Sequence, residues 1–335
     1  MAAVGSLLVQ CLSRSRLLNL KMTALCVCSV GINIAKGHQL MSQHILLSRL
    51  HTALFYSNMA PESSIGQMRR QAALGFKTGG DNYDAHRPSY TDESVDLIVS
   101  EIVATSEAAL GSGLKYDVLE LGAGTGKLTE RLCKKLPSHL KYLATEPSEN
   151  FLEVLKSKGL NVDVAIATAD RIPLADNTVG TVVCAQSFHW FSSKDNLDSI
   201  HRVLTPGGKL ILIWNMPEFS YEFMVAFYEQ TIEVVKKTGG SVNYLINFMD
   251  WRKDIDVSED FKLLWHRSLT GIKIQGDIEE ILSNHATGSA YKLLPAAECD
   301  AYIDQLRQIL KTWPGLNLNN ITIPHTTELF MFTAQ

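Results

Sequence analysis

The sequence predicts an α/β protein built around a doubly wound, mostly parallel sheet. From about residue 91 onward, short runs rich in β-branched residues alternate with runs whose apolar residues recur at helical spacing. A glycine-rich turn separates the first of these strands from the next helix, which is where open α/β sheets form their binding crevice. The chain has 335 residues, 46% of them hydrophobic, so it can bury the core that such a sheet needs.

The strands and helices of this alternation are predicted in order along the chain. Thr91, followed by Asp92 and Glu93, predicts the start of a helix that reaches about residue 110, because a hydroxyl and then acidic side chains favour a helix N-terminus. Strands are predicted over residues 116–121, 140–145, 161–167, 181–186 and 209–214. Helices are predicted over residues 125–136, after Ser148, and after Ser192 or Ser193. Gly207 and Gly208 predict a turn before the fifth strand.

The C-terminal third of the chain departs from this alternation. It predicts helices over residues 219–238, 279–283 and 295–310, and strands over residues 261–269 and 320–333. We therefore expect three parts: a leader over residues 1–70, a core over residues 71–215, and a third part over residues 216–335. In the third part, the helices are expected to form a lid over the core.

The leader differs from the rest of the chain in its charge. Residues 1–61 contain no Asp or Glu, so the remainder is more acidic than the net charge of −4 suggests, and an acidic body disfavours nucleic acid as a partner. The apolar stretch over residues 22–35 is shorter than the roughly 18 residues of a membrane span. We expect a disordered or cleavable leader and a cytoplasmic protein, or a mitochondrial one if the leader is a transit peptide.

The cysteines and the glycine-rich turn limit which kinds of metal site and cofactor site the sequence allows. Six scattered cysteines form neither a disulfide framework nor a metal site. The turn from Gly122 to Gly126 is one residue short of the dinucleotide fingerprint, and the chain has no nucleotide-triphosphate loop. Glu146 follows Gly126 by 20 residues, where a carboxylate can accept hydrogen bonds from ribose hydroxyls. Because NAD and S-adenosylmethionine both contain this ribose, Glu146 is compatible with both cofactors.

Four segments distinguish these cofactors. They read ELGAGTG (residues 120–126), TEPS (145–148), ADRIPL (169–174) and RVLTPGGKL (202–210). In this order and at this spacing, they resemble the motifs of class I S-adenosylmethionine-dependent methyltransferases. The resemblance implies a Rossmann-like fold with an antiparallel C-terminal edge, and S-adenosyl-L-methionine as the cofactor.

Two further segments narrow the resemblance. YDAHRPSY (residues 83–90) and AQSFHWF (185–191) are similar to segments of the trans-aconitate methyltransferase-like subgroup, also called methyltransferase type 11. The resemblance then covers roughly residues 76–215. Two positions depart from it: Gly180 stands where the family commonly has Asp, and Thr168 stands where many relatives have the Asp that meets adenine. Recognition of adenine would therefore fall to Asp170 and the backbone of Ala169.

The resemblance also implies which residues bind the cofactor. The backbones of Gly122, Ala123 and Gly124 would contact its methionyl part, Glu120 would bind or orient this loop, and Glu146 would bind the ribose. The other implied cofactor contacts are Tyr83, Arg87, Pro147, Ala169, Asp170 and Gln186.

His189 and Trp190 are the candidate catalytic residues. His189 could take a proton from a hydroxyl or amine acceptor because imidazole titrates near neutrality. Trp190 could line the pocket and present its π face to the sulfonium. Alternatively, both side chains shape the cavity without exchanging protons. A carboxylate acceptor would permit this, since it is already ionised at pH 7.

The sequence therefore predicts methyl transfer to a small molecule, and the narrower resemblance suggests a carboxylate acceptor. No NPPY or DPPY sequence occurs, which disfavours methylation of exocyclic base nitrogens. Two alternatives stay open: a catalytically silent assembly factor of the same fold, and an NAD-dependent oxidoreductase. We expect a monomer or weak oligomer with no nucleic-acid partner and no stable membrane span.

Overall fold

The computed structural model describes residue 84 and residues 88–109, 111, 113–218, 222–239 and 248–335. The predicted leader lies outside these residues. Within them, the strands are β1 (Tyr116–Leu121), β2 (Tyr142–Thr145), β3 (Asp163–Ala165), β4 (Val179–Ala185), β5 (Leu204–Pro217), β6 (Phe261–Gly276) and β7 (Ile321–Ala334). They form one sheet in the order β3-β2-β1-β4-β5-β7-β6.

The strand directions confirm the predicted fold class. β1 to β5 are all parallel to one another, whereas β7 is antiparallel to both of its neighbours, β5 and β6. The central strands are buried on both faces, which explains why they are continuous hydrophobic runs in the sequence. The parallel order reverses between β1 and β4, so the carboxyl ends of these strands flank the crevice in which doubly wound sheets bind ligands.

Three strands, β3, β5 and β6, differ most from the prediction in their boundaries. β3 is shorter, and β6 continues to Gly276 because β7 pairs with it along its whole length. β5 begins at Leu204, so the predicted glycine turn lies inside it as an irregularity: Val179 pairs with Leu204, but Thr181 pairs with Lys209. A Cβ on Gly208 would lie 2.9 Å from the Gly180 carbonyl oxygen, so this close approach requires glycine.

The helices of the described residues are α1 (Asp92–Ala108), α2 (Lys127–Cys133), α3 (Glu149–Ser157), α4 (Lys194–Val203), α5 (Glu222–Lys237), α6 (Arg252–Ile255), α7 (Ile278–Ala286) and α8 (Ala296–Thr312). Two of the predicted caps are present: the Thr91 hydroxyl accepts a hydrogen bond from the Ser94 amide, and that of Ser148 accepts one from the Phe151 amide. None of the helices in the described part of the chain is long and apolar enough to cross a membrane.

The C-terminal helices have a core of their own. Apolar side chains of α5, α7 and α8 pack with the start of β7, among them Phe227, Ile281, Leu306 and Ile321, and this cluster is separate from the two clusters on the faces of the sheet. α5, α7 and α8 therefore form a packed layer beside the sheet, which gives the residues on them fixed positions.

Candidate active site

One cavity of about 1110 Å³ opens at the carboxyl ends of β1, β2, β4 and β5. It continues between α5, α7 and a short 3-10 turn at Tyr291–Leu293. We call the part lined by residues up to Asn196 the cofactor half, and the part lined from Trp214 onward the lid half. Pockets for one small ligand measure about 300–1000 Å³, so this cavity has room for two bound molecules.

The glycine-rich loop forms the floor of the cofactor half. Gly122 and Gly124 have φ angles of 69° and 60°, which L side chains rarely adopt. A Cβ on Gly122 would also lie 2.8 Å from the Cβ of Ser187, whose hydroxyl donates a hydrogen bond to the Leu121 carbonyl. At Gly122 the loop therefore presents backbone to the cavity, because a side chain there would collide with Ser187, just after β4. That Gly122, Ala123 and Gly124 contact the cofactor through their backbones stays a prediction.

Glu146 lies at the end of β2 and is 7% exposed. Its Oε2 accepts a hydrogen bond from the Gly124 amide at 2.9 Å, and its Oε1 accepts one from the Ser148 amide at 2.9 Å. Burial raises the pKa of this carboxyl, while the two backbone hydrogen bonds act in the opposite direction. Each oxygen keeps a second lone pair. Glu146 can therefore hold the glycine loop in place and still accept the predicted ribose hydroxyls.

Glu120 is buried beneath the same loop and faces the cavity. Its Oε2 accepts hydrogen bonds from Thr129 of α2 at 2.7 Å and from Tyr142 of β2 at 2.5 Å. Burial raises its pKa to about 7, despite these two hydrogen bonds. Among the described residues, no donor contacts Oε1. The site thus contains a buried oxygen that a donor of the cofactor could satisfy.

The remaining predicted cofactor residues of the described chain converge on the cavity. Pro147 lines it beside Glu146, and Ala169 and Asp170 line it beyond β3. Gln186 has a φ angle of 53° at the end of β4, and its side-chain amide donates to the Asn215 carbonyl at 3.1 Å. A non-glycine residue in this conformation is uncommon, and such residues often mark functional sites.

Tyr83 and Arg87 lie outside the described residues. Asp84, between them, is described: its Oδ1 accepts hydrogen bonds from Thr125 at 2.7 Å and Lys158 at 2.8 Å. These contacts join Asp84 to the glycine loop and to Lys158, just after α3.

The cofactor half fits a cationic ligand. Its described lining includes four acids, namely Glu120, Glu146, Glu149 and Asp170, against one cation, Lys127, which lies 3.8 Å from Asp84. S-adenosylmethionine carries a sulfonium, an ammonium and a carboxylate group, which together give it a net positive charge, so this balance suits it. No group of three or more potential metal ligands occurs in the part of the chain that the structure describes.

His189 lies in the 3-10 turn Phe188–Trp190, directly after β4. The indole Nε1 of Trp214 donates a hydrogen bond to His189 Nδ1 at 3.1 Å. Because an indole N–H can only donate, Nδ1 is the acceptor and the neutral ring carries its proton on Nε2. Loss of surrounding water lowers the pKa of His189 to about 3. At neutral pH the ring is therefore uncharged, and its lone pair on Nδ1 already accepts the Trp214 hydrogen bond.

Trp190 is half-buried and lines the cavity beside His189, with the two ring centroids 4.8 Å apart. The turn therefore brings both candidate catalytic side chains to the boundary between the two halves, where Trp214 also lines the cavity.

The lid half contains polar residues that the sequence did not single out. Thr231, His285 and Tyr291 form a hydrogen-bonded cluster, and His325 of β7 lies on the same wall. Ser289 also lines the cavity, whereas the Thr287 hydroxyl donates back to the Asn284 carbonyl. Local sequence does not mark the cluster, because Thr231 lies 54 residues from His285 and 60 from Tyr291 along the chain.

Comparison with known proteins agrees with this geometry. A family profile described as a methyltransferase domain matches residues 118–208. A methyltransferase of Schizosaccharomyces pombe, described as uncharacterized, is 30% identical over 76% of this chain and 96% of its own. A methyltransferase of Mycobacterium tuberculosis, also described as uncharacterized, is 28% identical over 77% of this chain and 95% of its own.

The fold has a counterpart among solved structures. A candidate type II methyltransferase from Anaeromyxobacter dehalogenans superposes with a TM-score of 0.51 at 16% identity, over 73% of this chain and 97% of its own. Sequence relatives, fold and the carboxyl-end cavity agree, and the NAD-dependent alternative is set aside. The chain belongs to the class I S-adenosylmethionine-dependent methyltransferases, and S-adenosylmethionine is its cofactor.

Proposed function

We propose that this enzyme transfers a methyl group from S-adenosylmethionine to a small, mainly apolar molecule held in the lid half. The observation that carries the proposal is the single cavity that joins the glycine loop to the wall formed by α5 and α7. One volume of this size can hold a cofactor and an acceptor side by side. The lid half supplies apolar surface through Met224, Phe227 and Ile281.

When bound, the cofactor supplies an electrophilic methyl group on a sulfonium. The residues of the chain hold and orient the reactants, which can contribute much of the rate enhancement of such a transfer. The glycine loop and Glu146 form the cofactor support, and the acidic lining favours a cation. The apolar lid residues exclude water, which strengthens electrostatic interactions at the boundary between the two halves.

His189 then has a role without proton transfer. With the Trp214 indole donating to Nδ1 and the ring proton on Nε2, His189 has no lone pair left with which to act as a general base. Trp190, beside it, completes the wall. Because His189 does not accept a proton, the site favours an acceptor atom that is nucleophilic without losing a proton to the enzyme, or one that loses its proton after methylation.

A carboxylate acceptor is the second candidate, and the trans-aconitate-like resemblance is what favours it. A carboxylate needs no base, which is compatible with the neutral His189. Against it, Lys127 is the one Lys or Arg among the described lining residues, and it already neighbours Asp84 in the cofactor half. A buried carboxylate without a cationic partner is costly.

Two measurements test the proposal. First, the full chain is titrated calorimetrically with S-adenosylhomocysteine, with NADH as the control; we expect saturable binding of S-adenosylhomocysteine alone. Second, transfer of tritiated methyl from S-adenosylmethionine is screened with acceptor pairs that share one apolar body and carry either a carboxylate or an uncharged nucleophile. Turnover of the uncharged set supports our proposal, whereas turnover confined to the carboxylates favours the second candidate. Binding of NADH in place of S-adenosylhomocysteine would contradict both.

A further inference from the structure

Three side chains of the lid half converge on one point. His285 Nε2 lies 2.8 Å from Thr231 Oγ1 and 3.1 Å from the Tyr291 hydroxyl, and the two hydroxyl oxygens are 3.4 Å apart. The three come from α5, α7 and the 3-10 turn at Tyr291–Leu293, and all three line the cavity. We call them the lid cluster.

The lid cluster is held rigidly. Thr231 is 9% exposed and Tyr291 is 2% exposed. The ring of His285 lies between Phe227 and Tyr291, with centroid distances of 4.4 and 5.1 Å and edge-to-face geometry to both. Phe227 and Tyr291 belong to the apolar core of the lid helices. The three polar atoms are therefore placed by packing as well as by their own hydrogen bonds.

The polar groups of the lid cluster are uncharged, and they can both donate and accept hydrogen bonds. Each hydroxyl can donate one hydrogen bond and accept others, and a neutral imidazole nitrogen can do either, depending on its tautomer. The Thr231 hydroxyl can also donate a hydrogen bond to the Phe227 carbonyl oxygen, 3.3 Å away, as threonines in helices often do. The cluster can therefore exchange hydrogen bonds with either a hydroxyl or a carbonyl group of a ligand.

The wall around the lid cluster carries no formal charge. From Trp214 onward, the described lining residues include no Asp, Glu, Lys or Arg. Most of the others are apolar, including Met224, Val235, Ile274 and Ile323. A ligand group that is polar but uncharged would find partners here, whereas a carboxylate or ammonium would lose its water without gaining a counter-charge.

We infer that the lid cluster is the recognition site for the methyl acceptor, and that it binds an uncharged hydroxyl or carbonyl group on an otherwise apolar molecule. The inference rests on the proposed function, because it assigns the lid half to the acceptor. It names Thr231, His285 and Tyr291 as specificity-determining residues. The group they bind lies away from the cofactor half, so it differs from the atom that is methylated.

The test uses three probes with one two-ring body: 2-naphthol, 2-naphthoate and 2-methylnaphthalene. At pH 7, 2-naphthol is neutral and 2-naphthoate is ionised. Each is titrated calorimetrically into the full chain saturated with S-adenosylhomocysteine. We expect 2-naphthol to bind about fivefold to tenfold more tightly than 2-methylnaphthalene, which is the typical effect of one or two hydrogen bonds, and 2-naphthoate to bind most weakly.

Two substitutions connect this preference to the lid cluster. Thr231→Val and Tyr291→Phe each remove one hydroxyl, and each leaves the other hydroxyl paired with His285, so neither creates an unpaired polar group. We expect both to abolish the preference for 2-naphthol over 2-methylnaphthalene. Thr238→Val and Tyr302→Phe are matched controls: Thr238 bonds to its own helix, and neither residue lines the cavity.

The outcomes separate the inference from the proposed function. Absence of S-adenosylhomocysteine binding contradicts the proposed function itself. If S-adenosylhomocysteine binds but 2-naphthoate is the tightest probe, or if 2-naphthol has no advantage, the inference is wrong while methyl transfer stands. A preference that survives in both variants assigns the cluster a purely structural role. The ranking of probes in the unmodified chain needs no variant, so a poorly folding variant leaves that test intact.

Discussion

The two halves of the cavity are built in opposite ways. In the cofactor half, the binding surface is backbone, at glycines with positive φ angles, and the acidic side chains Glu120 and Glu146 lie behind or beside it. In the lid half, the surface is made of side chains, and the polar ones are uncharged in the cluster of Thr231, His285 and Tyr291. A backbone surface tolerates almost no substitution, whereas a side-chain surface can be re-specified one residue at a time. The cofactor half therefore fixes the chemistry, and the lid half can fix the acceptor.

The largest effect expected from this comparison is at Gly124. Replacing Gly124 with Arg adds a long side chain to a loop residue that lines the cofactor half and has a φ angle of 60°. We expect the affinity for S-adenosylhomocysteine to fall by more than about a hundredfold, because the side chain both strains the loop and occupies the cavity. Calorimetric titration measures the loss.

Gly159 provides the matched control. Its φ angle is 61°, and a Cβ there would meet no atom within 4 Å. Gly159→Arg thus imposes the same backbone strain on an exposed turn at the end of α3, away from the cavity. Equal weakening of S-adenosylhomocysteine binding by both substitutions would show that backbone strain, and not occupation of the cofactor half, causes the effect.

The contrast between the halves also explains what the sequence could reveal. The spacing of apolar residues and of glycines predicts the parallel strands, the loop at Gly122 and the acid at Glu146, because these features depend on residues that are close along the chain. The lid cluster depends on contacts between residues 54 and 60 positions apart, and no local pattern encodes them. His189 lies between these cases: its position after β4 was predicted, but its tautomer depends on Trp214, which lies on a neighbouring strand.

A second prediction concerns the ionisation of Glu120, whose carboxyl lies behind the glycine loop. The pKa of Glu120 is raised to about 7 in the folded chain, whereas in the unfolded chain it returns to near 4.5. Above pH 5 the unfolded chain therefore binds fewer protons than the folded one, so folding stability decreases as the pH rises toward 8. Glu120→Gln removes this contribution. We expect the variant to gain about 2–3 kcal/mol relative to the unmodified chain between pH 5 and pH 8.

Urea unfolding at both pH values measures this difference. Glu153→Gln makes the same chemical change at an exposed position of α3 and serves as the control. A gap between the Glu120 variant and the unmodified chain that stays constant from pH 5 to pH 8 would mean that Glu120 is ionised throughout, and that the loop rests on a charged carboxylate.

The lid half offers a smaller test of what holds its helices together. Arg307 of α8 forms two hydrogen bonds with Glu279 of α7, at 2.8 and 2.9 Å, on the protein surface. The hydrogen bonds from Arg307 lower the pKa of Glu279, so this stabilisation is present at pH 7 and is lost as the pH falls below the ordinary range of a glutamate. Because the pair is exposed, Glu279→Gln should cost no more than about 1 kcal/mol.

The apolar core of α5, α7 and α8 should thus dominate over their surface ion pairs. Urea unfolding at pH 7 in low salt and in 1 M salt checks this, since salt screens an exposed pair. A cost well above this value, or one that persists in high salt, would mean that the lid depends on the ion pair for its position.

The smallest expected effect concerns His189, at the boundary between the two halves, which should not titrate. With the pKa of His189 at about 3, its ring stays neutral across the physiological range. In a ¹H–¹³C spectrum of the folded chain, the imidazole signal that disappears in His189→Gln should keep a constant chemical shift from pH 5 to pH 8. Because the unfolded chain would bind a proton on His189 below pH 6.5, this residue also lowers folding stability as the pH falls toward 3.

A His189 signal that titrates near pH 6.5 would restore the general-base role and would favour a hydroxyl or amine acceptor that loses its proton to the enzyme. Trp214→Phe provides the matched test, since it removes the indole that donates to Nδ1 but keeps an aromatic ring in the core. If the Trp214 bond fixes the tautomer, the carbon shifts of His189 should change in this variant from those of an Nε2–H ring toward a tautomer mixture. Unchanged shifts would mean that a contact other than the Trp214 hydrogen bond sets the tautomer of His189, so that residues of the 3-10 turn and not of β5 control the chemistry at the boundary between the two halves.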